Sequence, residues 1–170
     1  MSPDWEAIYR ATFPDLVRFL HRKVWDEDRA RELAQEAFVR ALREEPDRPR
    51  AWLFTVASNL ARDEARHAIR RRRNLTLLKG EIDADPPRAD DPATELEARE
   101  RSHRVRRALE RLSDRDREIL LLWDAGMSYS EIADATGLAP GAIGTTLARA
   151  RQRLVRAFEA DEETVHVARD

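Results

Sequence analysis

The sequence predicts an all-α protein: two small helical domains joined by an acidic, proline-containing linker. Three observations carry this. Apolar residues recur at helical spacing in separate blocks on either side of residues 74–100. The intervening segment, NLTLLKGEIDADPPRADDPATELEARE, holds Pro86, Pro87 and Pro92 and eight acids, a composition that buries too little apolar area to order itself. Five glycines in 170 residues leave few of the tight turns that an all-β fold requires. The expected division is a first domain at 1–73, a flexible linker at 74–100, a second domain at 101–158 and an acidic tail at 159–170.

From Asp28 onward, Ala30, Leu33, Ala34, Ala37, Phe38, Ala41 and Leu42 follow the i, i+3, i+4, i+7 recurrence of an amphipathic helix, which Pro46 and Pro49 end. The next helix begins near Arg50 and runs to about Arg73, with Trp52, Leu53, Val56, Ala57 and Leu60 on its buried side. At about 100° per residue, Thr55, Asn59, Arg62, Arg66 and Arg73 share a separate stripe. One face packs and the other is polar and cationic.

Past the linker, helix formers run from Thr94, and Val105, Ala108, Leu109 and Leu112 supply a buried stripe. Ser113 is placed to cap a helix carrying Ile119, Leu120, Leu122 and Trp123, which stops at Gly126. Ser128 stands three residues before Glu131, the spacing of a capping box, and opens a short helix that ends at Gly137. Pro140 suits the first turn of a last helix, buried along Ile143, Leu147, Ala150 and Leu154. Two short helices joined by a Gly-containing turn read as a helix-turn-helix at about 128–148.

Charge is segregated along the chain although the net charge is only −2. Residues 61–73 hold six Arg against Asp63 and Glu64; residues 119–147 hold no basic residue, and Arg149, Arg151, Arg153 and Arg156 follow with no acid among them. Such blocks point to two basic working surfaces set apart by acidic segments. Asp63 and Glu64 cannot neutralise six Arg, so the first block favours nucleic acid over a merely solvated face.

Other classes fare badly. No apolar run approaches the length of a membrane span, and the start, MSPDWEAIYR, lacks the basic and apolar regions of a secretory signal. A cytoplasmic location is therefore expected. The absence of cysteine removes disulfides, thiolate metal sites and thiol nucleophiles. His21, His67, His103 and His166 are scattered, without the spacing of a metal site, and Gly137, Gly141 and Gly144 fit neither a dinucleotide nor a P-loop pattern. The expectation is a binding protein without catalytic residues, metal or cofactor.

The chain resembles a specific family. RELAQEAFVRALRE is similar to region 2.2 of the sigma-70 family, and AWLFTVASNLARDEARHAIRRRR to regions 2.3 and 2.4 of its short extracytoplasmic function (ECF) members. LSDRDREILLLWDAGMSYSEIADATGLAPGAIGTTLARARQRL resembles their region 4. The resemblance covers about 5–73 and 100–157, in order. It implies a first domain that docks on core RNA polymerase and reads the melted −10 element, and a second that reads the −35 element as duplex. An anti-sigma factor is a candidate further partner.

Carried onto this chain, the resemblance assigns Gln35, Glu36 and Phe38 to core polymerase. It assigns Trp52, Thr55, Asn59, Arg62, Arg66 and Arg70 to the −10 strand, with Trp52 and Phe54 as aromatic faces beside the cationic groups that single-stranded DNA requires. For −35 it assigns Thr145, Thr146, Arg149 and Arg153. The chain departs from the family pattern at Glu32, in the short EEPDRPR loop, at Leu122 and Trp123, and at Gly144 and Thr146, where basic residues are common. The alternative is a stand-alone helix-turn-helix transcriptional regulator that binds duplex DNA without polymerase. A regulator, however, has no need of the helix pair at 28–44 and 50–73.

Overall fold

The structure, a computed structural model, describes residues 3–76 and 92–167. Among these the chain forms seven helices: α1 (Trp5–Val24), α2 (Glu27–Glu44), α3 (Pro49–Thr76), α4 (Pro92–Glu110), α5 (Asp114–Asp124), α6 (Tyr129–Thr136) and α7 (Pro140–Val167). No strand occurs among the described residues. Helices α1, α2 and α3 pack on one another, and α7 gathers α4, α5 and α6. The expected linker is bounded on both sides by helix, since α3 continues to Thr76 and α4 begins at Pro92; residues 77–91 lie outside the described set.

The first helix is the element that the periodicity reading left unassigned. Asp4 caps it by accepting from the Ala7 amide at 3.0 Å, and Thr12, Leu16, Phe19 and Leu20 are buried at helical spacing. Pro14 obscured the pattern, because an interior proline normally breaks a helix; here it sits on the exposed side of α1. In the core of this three-helix unit, Leu16, Leu20, Leu33, Leu53 and Phe54 have almost no exposed surface. The Phe19 and Phe54 rings meet edge to face at 5.2 Å.

Two residues expected on buried stripes are exposed instead. Leu42, 52% exposed, forms part of the rim of an apolar groove between α1 and α2 that Trp5, Tyr9, Phe38 and Val39 also line. Val105 on α4 is exposed as well, and nothing in the packing accounts for an apolar residue there.

In the second unit the caps are as the sequence places them. Ser113 Oγ accepts from the Asp116 amide at 3.1 Å, and the Ser128–Glu131 capping box is complete in both directions. Gly137 ends α6 at φ +71°, a left-handed conformation that a side chain would resist. The last helix does not stop near 158 but continues through Asp161, which is 4% exposed. Arg107 and Arg111 of α4 hold that carboxylate at 2.9 and 2.7 Å and so fasten the end of α7 to α4.

The capping box sets an expected pH response. Hydrogen bonds from the Ser128 backbone and hydroxyl hold the Glu131 carboxyl below its ordinary value near 4.5. A carboxyl depressed in the folded state stabilises the fold above its unfolded pKa, and that contribution is lost as pH falls through the folded value. Glu131→Gln keeps a capping side chain without the charge. Its melting temperature should therefore fall less steeply between pH 5 and pH 3 than that of the parent chain, as followed by circular dichroism.

Candidate nucleic-acid interface

Helix α3 divides its residues sharply. Leu53, Phe54, Ala57, Leu60 and Ala61 are buried, whereas Asn59, Arg62, Arg66 and Arg70 are exposed on the other side. Arg62 donates to Asn59 Oδ1 at 3.1 Å, which orients both toward the same solvent face. Asp63 lies 3.7 Å from Arg66, while Glu64 turns inward and takes Arg29 of α2 at 2.7 Å and Arg71 at 3.2 Å. These contacts, the Arg29 hydrogen bond foremost, depress the Glu64 carboxyl pKa. Glu64 thus braces α2 against α3 and also takes Arg71, and it forms no ion pair with Arg62, Arg66 or Arg70. Thr55 is half-buried, and its hydroxyl donates to the Ala51 carbonyl at 2.9 Å.

The aromatic pair expected at the start of this helix separates. Trp52 is half-buried and packs against the core. Phe54 is fully buried against Phe19, with the Arg50 guanidinium 5.2 Å from its ring, and cannot stack on a base. Neighbours two apart on a helix point about 200° from each other, so they could not share a face. Phe54 is a core residue and supplies no aromatic face.

On α7, Ile143, Leu147 and Ala150 are buried and Thr145 and Arg149 are exposed. The Thr146 hydroxyl donates back to the Ala142 carbonyl at 2.8 Å, which leaves its oxygen lone pairs and methyl group as the features it can offer. Arg153 donates to Asp116 at 2.6 Å; this buried carboxylate fixes one guanidinium nitrogen and leaves the other donors outward. Arg151 lies 3.8 Å over the ring of Trp123, so the unusual tryptophan of α5 positions a cation of α7.

Gly144 looks onto α6, where an added Cβ would stand 3.5 Å from Tyr129 Cε2, an ordinary contact. Gly144→Ala should therefore stabilise the second unit by about 0.5–1 kcal/mol, the usual gain from replacing a mid-helix glycine. Thermal melting checks the sign. A loss of stability would mean that Tyr129 cannot give way.

On α2, Gln35 and Glu36 are exposed, and Glu36 pairs with Arg40. Phe38 is 6% exposed and lies in an aromatic cluster, 4.9 Å from Tyr9 and 6.0 Å from Phe13. It supports the groove from beneath. Tyr9 and Trp5, which complete that groove, were missed along with α1; the only sequence signal for them is their spacing with Ile8 and Thr12.

A second feature escaped the sequence reading: the two units are in contact. Lys23 of α1 donates to Glu118 of α5 and, at 2.9 Å, to Ser58 of α3, and Ser58 in turn donates to Glu118. All three are largely or fully buried. Arg22 pairs with Asp124, Arg48 with Asp134 at 3.0 Å, and Arg50 donates to the Ala125 carbonyl at the end of α5. Such pairings need the tertiary structure; no spacing announces them.

A helical unit with a cationic face, followed by a helix-turn-helix unit, is the architecture of a DNA-binding protein. The Sigma-70 region 2 model matches residues 8–73 and the Sigma-70, region 4 model residues 102–154. The chain belongs to the sigma-70 family, as an ECF-type sigma factor that acts in transcription initiation. RNA polymerase sigma factor YlaC of Bacillus subtilis is 27% identical, over 93% of this chain and 94% of its own. ECF RNA polymerase sigma factor SigC of Mycobacterium tuberculosis is 31% identical, over 94% and 85%. Among solved structures, the sigma factor RpoE of Bartonella quintana, in complex with the anti-sigma factor NepR, shares the fold with TM-score 0.67 at 24% identity, over 93% of this chain and 98% of that one.

Proposed function

We propose that the exposed face of α3 reads the melted −10 element, with Asn59, Arg62, Arg66 and Arg70 on the strand and the half-buried Trp52 stacking on a base. The observation that carries this is the concentration of those polar and cationic groups on one side of a helix whose other side is core. Thr55, half-buried and bonded to Ala51, contributes from the edge of that face. Thr145, Thr146, Arg149 and Arg153 of α7 take the −35 duplex. Gln35, Glu36 and Phe38 of α2 meet core polymerase. The working units on this reading are residues 1–73 and 101–158, and the protein acts in the cytoplasm by binding and not by catalysis.

An anti-sigma factor is a further proposed partner, in keeping with the complex in which RpoE was solved. The stand-alone regulator is disfavoured, because the region 2 match spans all of α2 and most of α1 and α3. The direct test is reconstitution: purified chain should co-elute with core polymerase and confer transcription from its promoter. Duplex binding without any association with core would overturn the reading.

A further inference from the structure

The helix-turn-helix meets its duplex with an uneven supply of charge. Residues 119–147 hold no basic residue, so α6 and the first turns of α7 carry no cation, and α6 adds Glu131 and Asp134. Affinity for duplex DNA comes largely from phosphates met by Lys and Arg. On α7 those contacts fall to Arg149, Arg151, Arg153 and Arg156 in the later turns.

These arginines are not equivalent. Arg153 gives a guanidinium nitrogen to the buried Asp116 carboxylate, which also offsets its charge. Arg149 is exposed on the same side of α7 as Thr145, four residues earlier. Arg151 points elsewhere. It stands seven residues after Gly144 and only about 20° from it around the helix, on the flank that faces Tyr129 of α6 and Trp123 of α5. Its guanidinium carbon lies 3.8 Å from the centroid of the Trp123 ring, a separation at which the two planar groups stack. The other cation–aromatic contacts among the described residues are all longer than 5 Å.

Stacking engages the face of a guanidinium and leaves its N–H donors, which lie in the plane, unspent. Trp123 is uncharged, so unlike Asp116 it fixes a cation without neutralising it. Nor does Trp123 serve the core. It is 42% exposed in the last turn of α5, outside the buried cluster that Ile119, Leu120, Leu121 and Leu122 enter. An arginine already ordered against a ring loses less side-chain freedom when it takes a ligand, and preorganisation of that kind raises affinity.

We propose that Trp123 is a positioning residue for −35 binding: it holds Arg151 outward on the Gly144 flank of α7, where the guanidinium takes a duplex phosphate beside the groove that Thr145 and Arg149 enter. The proposal rests on the −35 reading given above and adds to it both a phosphate contact and the residue that orients it.

The test uses the full chain assembled with core polymerase, and a duplex that this parent holoenzyme selects from a randomised pool. Binding is followed from about 50 to 200 mM salt. Arg151→Ala should lower the slope of log affinity against log salt by about 0.9, the worth of one duplex phosphate. Trp123→Leu removes the aromatic face and keeps apolar bulk; it should weaken binding about two- to fivefold, the span of an exposed cation–π contact. Trp123→Phe should retain most of the affinity. Placed on Arg151→Ala, Trp123→Leu should cost nothing further. Arg151→Lys leaves α5 untouched and gives a second route should Trp123→Leu fail to fold. It keeps the charge, and with it the salt slope, but loses the planar stack, so affinity should again fall about two- to fivefold.

A Trp123→Leu deficit of equal size with and without Arg151 would make the tryptophan a packing residue and overturn the proposal. An unchanged salt slope in Arg151→Ala, or parent affinity in Arg151→Lys, would also overturn it. A parent holoenzyme that selects no duplex would overturn the −35 reading and the proposal with it, whereas any of the other results beside a normal parent counts against the positioning role alone.

Discussion

Phe54→Ala is expected to cost about 3–5 kcal/mol, the usual range for truncating a buried aromatic. The ring is fully buried, packed edge to face on Phe19 and covered by the Arg50 guanidinium, so little can move in to fill the cavity. For a unit of this size a loss of that order lowers the melting temperature by on the order of 20 °C. Core binding and promoter binding should fall together, because the whole three-helix unit is compromised. Trp52→Ala, two residues earlier, should behave differently. Its ring is only half-buried, so the fold should survive, while the loss of one stacked base is worth about 1–3 kcal/mol, or roughly five- to hundredfold in promoter opening. Thermal melts beside transcription assays on both variants check the contrast. Equal loss of stability in the two would place Trp52 in the core and remove it from the −10 face.

That contrast also shows which features the chain makes legible. Helices α2, α3, α5 and α6 follow from apolar spacing and capping residues, because these signals are local: Ser113, Ser128 with Glu131, and Gly137 each act within one turn. Helix α1 was illegible because Pro14 breaks the local rule on a solvated face whose tolerance only the packing reveals. The continuation of α7 through Asp161 was hidden for a related reason. A run of acids reads as a solvated tail until Arg107 and Arg111, some fifty residues earlier, are seen to neutralise one of them. The cationic stripe of α3 was legible as a stripe, but the inward turn of Glu64 toward Arg29 was not. The contact between units was illegible altogether. Lys23, Ser58 and Glu118 are common residues with no motif, brought together only by the fold.

Arg62→Ala with Arg66→Ala is expected to weaken promoter-complex formation most at low salt. Both guanidiniums are exposed, and their nearest polar neighbours, Asn59 and Asp63, lie on the same helix. Removing them leaves no buried group unpaired, so the fold should be unaffected. If each holds one single-strand phosphate, the double variant loses about two released counterions' worth of slope, roughly 1.4 in log K against log salt. Between 50 and 200 mM salt, the deficit of the variant relative to the parent should then shrink by about sevenfold. A variant damaged through its fold would show a constant deficit instead. Affinity for core polymerase should barely change, since Gln35 and Glu36 stand on α2 and Glu64, which braces α2 against α3, is retained. A fall in core affinity with promoter binding intact would reverse the assignment of faces: α3 would then be the docking surface, and the strand would have to be read elsewhere.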